Sequence, residues 1–129
     1  MANHRDRWIA HALLALLLAA HLPLGLDYGQ YPLDDPRSGR SLIVYTLVTH
    51  VALLAWCLLD AKALGRRPPR WPSIATLVFG WFGVPFHLLS TRAKGRRLRA
   101  LVVGLVYFIV CITLYSEAFR HAFEARLPA

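Results

Sequence analysis

Acidic residues are scarce in this chain, and charge of either sign is missing from four long stretches. Seven Asp and Glu stand against fifteen Lys and Arg in 129 residues. Residues 8–26, 41–59, 71–91 and 100–116 hold none of them. At 17% charged, the chain lies below the roughly 25% of an average soluble domain. A soluble bundle would need polar stripes at helical period, yet Ile9 to Ala20 is apolar nearly all round. The windows run 19, 19, 21 and 17 residues. About 20 apolar residues cross the roughly 30 Å hydrocarbon core as a helix. The pattern predicts an all-α integral membrane bundle in one domain, residues 1–129, with four apolar segments at about 8–26, 41–59, 71–91 and 98–119.

Other absences narrow the chemistry. The two cysteines, Cys57 and Cys111, both fall inside apolar segments, where they read as small polarizable packing residues rather than a disulfide framework. No carboxylate falls inside the charge-free windows, so proton-coupled transport and acid–base catalysis lack their usual intramembrane group. Nucleophile elbow, P-loop, His-Glu-x-x-His and Cys-x-x-Cys are all missing. The expectation is a non-enzymatic protein with no catalytic residue, no metal set and no cofactor. There is no internal repeat and no low-complexity tract.

What is present is mainly positive charge. A net charge of +8 would suggest nucleic acid in a soluble protein. Here the basic residues flank apolar segments, so membrane orientation and anionic headgroups are the simpler account. The headgroup candidates are Arg66, Arg67, Arg70, Arg92, Lys94, Arg96, Arg97 and Arg99. The first segment resembles a signal peptide in its basic start, Met1 to Arg7. However, its apolar run continues to Leu26, and Leu18 is too bulky for the −3 position of a cleavage after Ala20. It reads as a retained helix with Trp8 at the inner boundary and Tyr28 and Tyr31 at the outer one.

Charge counting makes the third segment the odd one. Four plain crossings leave eight basic residues on the N-terminal side and seven opposite, which is no bias. If the third segment enters and leaves on one side, the counts become eleven and four. The positive-inside rule prefers the second arrangement, with a cytoplasmic N-terminus at the inner membrane. Gly80, Gly83 and Pro85 supply a means of turning the chain. Two legs of about nine residues would each reach about 13 Å, to mid-bilayer. The rivals are a kinked but spanning helix and an interfacial helix. Thr76, Gly80, Gly83, His87 and Ser90 share one helical face, which favours continuity.

Polar residues within the segments are the remaining signal. Thr46, His50, Leu53, Cys57 and Asp60 form a seam at helical spacing, flanked by Tyr45 and Thr49. Such a seam faces the bundle interior. It reads as interhelical hydrogen bonding, or as a ligand, quinone or proton site centred on His50, lined by Tyr45, Thr46 and His87. A haem needs two imidazoles at similar depth. His21 and His50 are offset by roughly 6 Å at 1.5 Å per residue, and no histidine pair has diagnostic spacing. Asp60 stands beside Lys62 and Arg66 as a boundary ion pair. Ala12, Ala15 and Ala19 in the first segment, and Ala100, Gly104, Tyr107, Cys111 and Ala118 in the fourth, form small-residue packing faces. Ser41 and Ser73 are candidate N-caps.

Two stretches, Leu59-Asp60-Ala61-Lys62-Ala63-Leu64-Gly65-Arg66-Arg67 and Val84-Pro85-Phe86-His87-Leu88-Leu89-Ser90-Thr91-Arg92, cover about a third of the chain. They resemble small bacterial multi-pass membrane proteins that carry an Asp-Ala…Gly-basic loop and a Pro-aromatic-x-Leu-x-Ser/Thr-Arg segment end. His87 stands where those proteins carry an aromatic. The resemblance implies a membrane fold and a bacterial origin, with no particular activity. The leading expectation is an interaction or accessory subunit with an anionic-lipid-facing basic surface, self-associating or bound to a larger membrane complex. The alternatives are a binding module for a lipophilic ligand (quinone, lipid or haem) and an oligomeric transporter or channel.

Overall fold

A computed structural model describes residues 4–32 and 34–127. The first three residues of the basic N-terminal tail lie outside the described residues. Five α-helices follow one another: α1 (His4–Gly29), α2 (Pro36–Ala63), α3 (Arg70–Phe79), α4 (Gly83–Thr91) and α5 (Arg97–Glu124). Single 3₁₀ turns, Gly80–Phe82 and Lys94–Arg96, join α3 to α4 and lead into α5. The described residues contain no strand.

Local chemistry sets the helix ends. Asp35 caps α2 by accepting from the Arg37 backbone N–H at 2.8 Å, and Pro36 occupies the first helical position. The Arg37 guanidinium also bonds this exposed carboxylate and holds it below its ordinary pKa. The helix therefore begins five residues before Ser41. That serine is not a cap: it is buried and donates to the Asp27 carboxylate. At the other end Gly65 takes φ +66°. Gly65 N–H bonds Lys62 O and Arg66 N–H bonds Ala61 O, the two bonds of a Schellman cap. Pro68 and Pro69 then forbid continuation. Ser73 also lies inside its helix, donating to Pro69 O at 2.8 Å.

The third apolar segment is a helical hairpin. The chain reverses at Gly80, which has φ +57° and ψ −119°, a conformation that favours glycine. α3 and α4 then lie side by side. A Cβ on Gly83 would run into the Thr76 backbone, although residues seven apart in one helix are separated by about 10 Å. The shared face read from Thr76 to Ser90 is thus two faces of a folded pair. Pro85 is not the break. It sits in the first turn of α4, where its missing N–H is not needed. The legs are 10 and 9 residues long, about 15 and 13 Å.

α1 and α5 run parallel, and α2 runs against both. Gly25 and Gly29 meet Tyr115, Ala118, Phe119 and Ala122 of α5. A Cβ on Gly25 would lie 2.5 Å from Tyr115 O, so the backbones approach as in small-xxx-small pairs. This contact departs from the expected stripe: Ala12, Ala15 and Ala19 are exposed. The packed stripe of α1 is instead Ala10, Leu17, His21, Gly25 and Gly29. On α5, Cys111 and Ala118 are buried as expected.

α1, α2, the 70–91 segment and α5 are each long and apolar enough by composition to cross a membrane. In the 70–91 segment that length is folded in half. Leu16, Ile43 and Val103 are all more than 60% exposed. Large apolar faces of this kind suit lipid rather than water, and the chain is an all-α integral membrane bundle.

Candidate functional site

Folding the third segment back returns its second leg to the C-terminal end of α2, where Asp60 meets it. Arg92 holds the Asp60 carboxylate with both terminal nitrogens, Nη2 to Oδ1 and Nη1 to Oδ2, each at 2.8 Å. His87 Nε2–H donates to Oδ2 at 3.0 Å. His87 is fully buried and lies edge-on to Trp56, with ring centroids 5.6 Å apart. Its Nδ1 is buried without a partner. The expected boundary pair of Asp60 with Lys62 and Arg66 is therefore not the one formed. Lys62 reaches back to Asp6 of α1 at 3.5 Å instead. The reason is geometric: neighbours along a helix point outward together, while the returning hairpin presents His87 and Arg92 inward. Residues 59–67 and 84–92 thus meet through Asp60, His87 and Arg92.

Further contacts join the hairpin to α2. Cys57 Sγ and Thr76 Oγ1 lie 3.7 Å apart. His50 Nδ1–H donates to Leu77 O at 2.9 Å. Leu77 is among the last four residues of α3, whose carbonyls lack an intrahelical partner. A free carbonyl at membrane depth is costly, and His50 satisfies it. The His50 ring also fills the space beside Gly80, where a Cβ would strike it. The polar seam of α2 is thus largely taken up by interhelical bonds to the hairpin.

The four residues read as a ligand set do not converge. Tyr45 packs in an aromatic group at the other end of the bundle, 5.6 Å from the His21 ring and 4.5 Å from Tyr115. Thr46 is exposed and shares a shallow outer groove with His50 and Leu77. His87 lies at Asp60, ten residues along α2 from His50, roughly 15 Å of helix rise. His21 Nδ1–H bonds Leu17 O at 2.6 Å within its own helix. Among the described residues no three His, Cys, Asp or Glu converge as a metal-ligand set.

A cavity of about 760 Å³ opens above the knot, between α1, α2, α4 and α5. Its walls are apolar: Leu14, Leu53, Trp56, Trp81, Val84 and Leu88. Its mouth carries Arg7, Arg92, Arg96 and Arg99, with His11 and Asp60. Tyr107 closes the far end, its hydroxyl donating to Leu14 O and its ring 5.7 Å from Trp81. Only the chain reversal brings Trp81 and Val84 against α1 and α5. Their aromatic and apolar character was legible, but not their position.

No family model, curated protein or solved structure matches the chain.

All eight headgroup candidates lie at the knot end, in or beside the α2–α3 and α4–α5 connections. Arg92 turns inward to Asp60, and Arg97 Nε–H donates to Arg92 O at 3.3 Å. The other six are exposed. With Arg5, Arg7 and Lys62, eleven basic residues stand at this end beside two acids, Asp6 and Asp60. Four basic and five acidic residues stand at the opposite end.

Proposed function

We propose that this chain is a small non-enzymatic integral membrane protein of the inner membrane, an interaction or accessory subunit whose basic end lies against anionic headgroups on the cytoplasmic side. The observation that carries this reading is the eleven-to-four partition of basic residues, produced when the hairpin returns both basic loops to one end. Juxtamembrane Lys and Arg are each worth about 1 kcal/mol near an anionic surface, and their excess marks the cytoplasmic face. The N-terminus then lies in the cytoplasm and the C-terminal end of α5 on the other side. The outward Ala12, Ala15 and Ala19 face of α1 is available to a second copy or a larger membrane partner.

Cysteine accessibility tests the reading. Cys57 and Cys111 are buried, so an introduced thiol reports alone. Pro68→Cys and Gly95→Cys should label from the cytoplasmic side, and Glu124→Cys from the opposite side. Labelling of positions 68 and 95 from opposite sides would sink the proposal.

A further inference from the structure

The cavity above the Asp60 knot combines two environments that few ligands satisfy together. Its depth follows from α5: Arg99 at the mouth and Tyr107 at the closed end are eight residues apart, about 12 Å. Its volume of about 760 Å³ lies within the roughly 300–1,000 Å³ of small-molecule sites. The apolar walls offer water few partners. The mouth is strongly cationic, because its one acid, Asp60, is already bonded by Arg92 and His87. Arg7, Arg96 and Arg99 form no ion pair with a carboxylate among the described residues. A neutral hydrocarbon would fill the walls and leave these guanidinium groups unmatched. A free phosphate would match them and leave the walls bare.

We propose that this cavity binds one anionic lipid, its phosphate held at Arg7, Arg96 and Arg99 and its acyl chain against Leu53, Trp56 and Val84. The proposal rests on the basic end being headgroup-facing, and it places one headgroup at an internal site rather than on the open surface. Guanidinium forks suit phosphate oxygens, and Arg92, by pairing with Asp60, leaves the charge of the other three uncompensated. The two wall tryptophans provide the reporter.

The test uses the full chain with Trp8→Phe and Trp71→Phe, leaving Trp56 and Trp81 as emitters. It is reconstituted in phosphatidylcholine vesicles containing a rising fraction of phosphatidylglycerol brominated on the acyl chain. Quenching should saturate at a fraction at least about tenfold lower than for brominated phosphatidylcholine, the effect of one or two charge-assisted bonds. R96Q with R99Q should raise the half-saturating fraction by about tenfold, and R66Q with R67Q, outside the cavity, should shift it far less. Ala100→Phe should fill the mouth and abolish the preference, with Val103→Phe as a second filling variant should the first not fold. Millimolar inorganic phosphate should leave quenching intact. Equal quenching by the two lipids, or relief by inorganic phosphate, would overturn the proposal. An equal shift from both arginine pairs would overturn it too, while leaving the surface headgroup reading standing. No shift from either pair would remove both.

Discussion

Replacing Asp60 with Asn is the most direct test of how the hairpin is held. The carboxylate accepts two bonds from Arg92 at 2.8 Å and one from His87 at 3.0 Å. Asn is close in shape but offers one acceptor oxygen, and its amide group turns donors toward donors. Hydrogen bonds to charged groups contribute about 1.5–3 kcal/mol each, and removing one partner of a buried pair costs about 3–5 kcal/mol. Here the Asp60 and Arg92 side chains are 15% and 20% exposed, so Arg92 can rehydrate in part. His87 is at 0% and cannot. We therefore expect a loss near the lower bound, about 3 kcal/mol, or roughly a hundredfold in the folded ratio. Equilibrium unfolding in bicelles would measure it. A double-mutant cycle with Arg92→Gln should show coupling of about 1–3 kcal/mol. Replacing both residues with Leu should recover part of the loss, since an apolar pair leaves no unmatched charge. A single-variant loss under about 0.5 kcal/mol, or an additive cycle, would refute the assignment of Asp60 as the hairpin anchor.

Two further substitutions probe the packing. His50→Leu removes the donor to Leu77 O, and should cost about 1–3 kcal/mol and speed amide exchange around Gly80; unchanged exchange there would contradict the capping role. Gly25→Val forces a Cβ to within 2.5 Å of Tyr115 O and should cost about 1–3 kcal/mol as overpacking. Ala15→Val, on the exposed face of the same helix, should be near neutral in the same unfolding assay, and comparable losses would contradict the packing of α1 through Gly25 and Gly29.

The hairpin was legible as one of three arrangements because its signal was electrostatic. Five basic residues from Arg92 to Arg99 and four from Lys62 to Arg70 strain a plain crossing, whatever the backbone does. Its turn was harder to place. Gly80, Gly83 and Pro85 all permit a break, and only Gly80 takes it, because glycine tolerates positive φ without requiring it. Gly83 serves instead as the point where the legs touch, and Pro85 as a first-turn residue. The α1 packing face departs from its alanine stripe for a related reason. Alanines at helical spacing can turn toward lipid or protein alike, whereas Gly25-x-x-x-Gly29 admits a closer backbone approach. That spacing was in the chain to be read. The cavity was not legible at all, since its walls come from four helices far apart in sequence.

Hydropathy and charge are sums over short stretches. The sequence by itself therefore determined that this is a helical membrane protein with four apolar segments and an excess of positive loops. Partnership is different. Whether Asp60 meets Lys62 two residues on or Arg92 thirty-two residues on depends on where the backbone returns. Only the tertiary structure decided that, and with it the parallel pairing of α1 with α5 and the arginine-mouthed cavity. The physical reason is that a contact needs both a chemistry and a place, and residue types specify the first without the second.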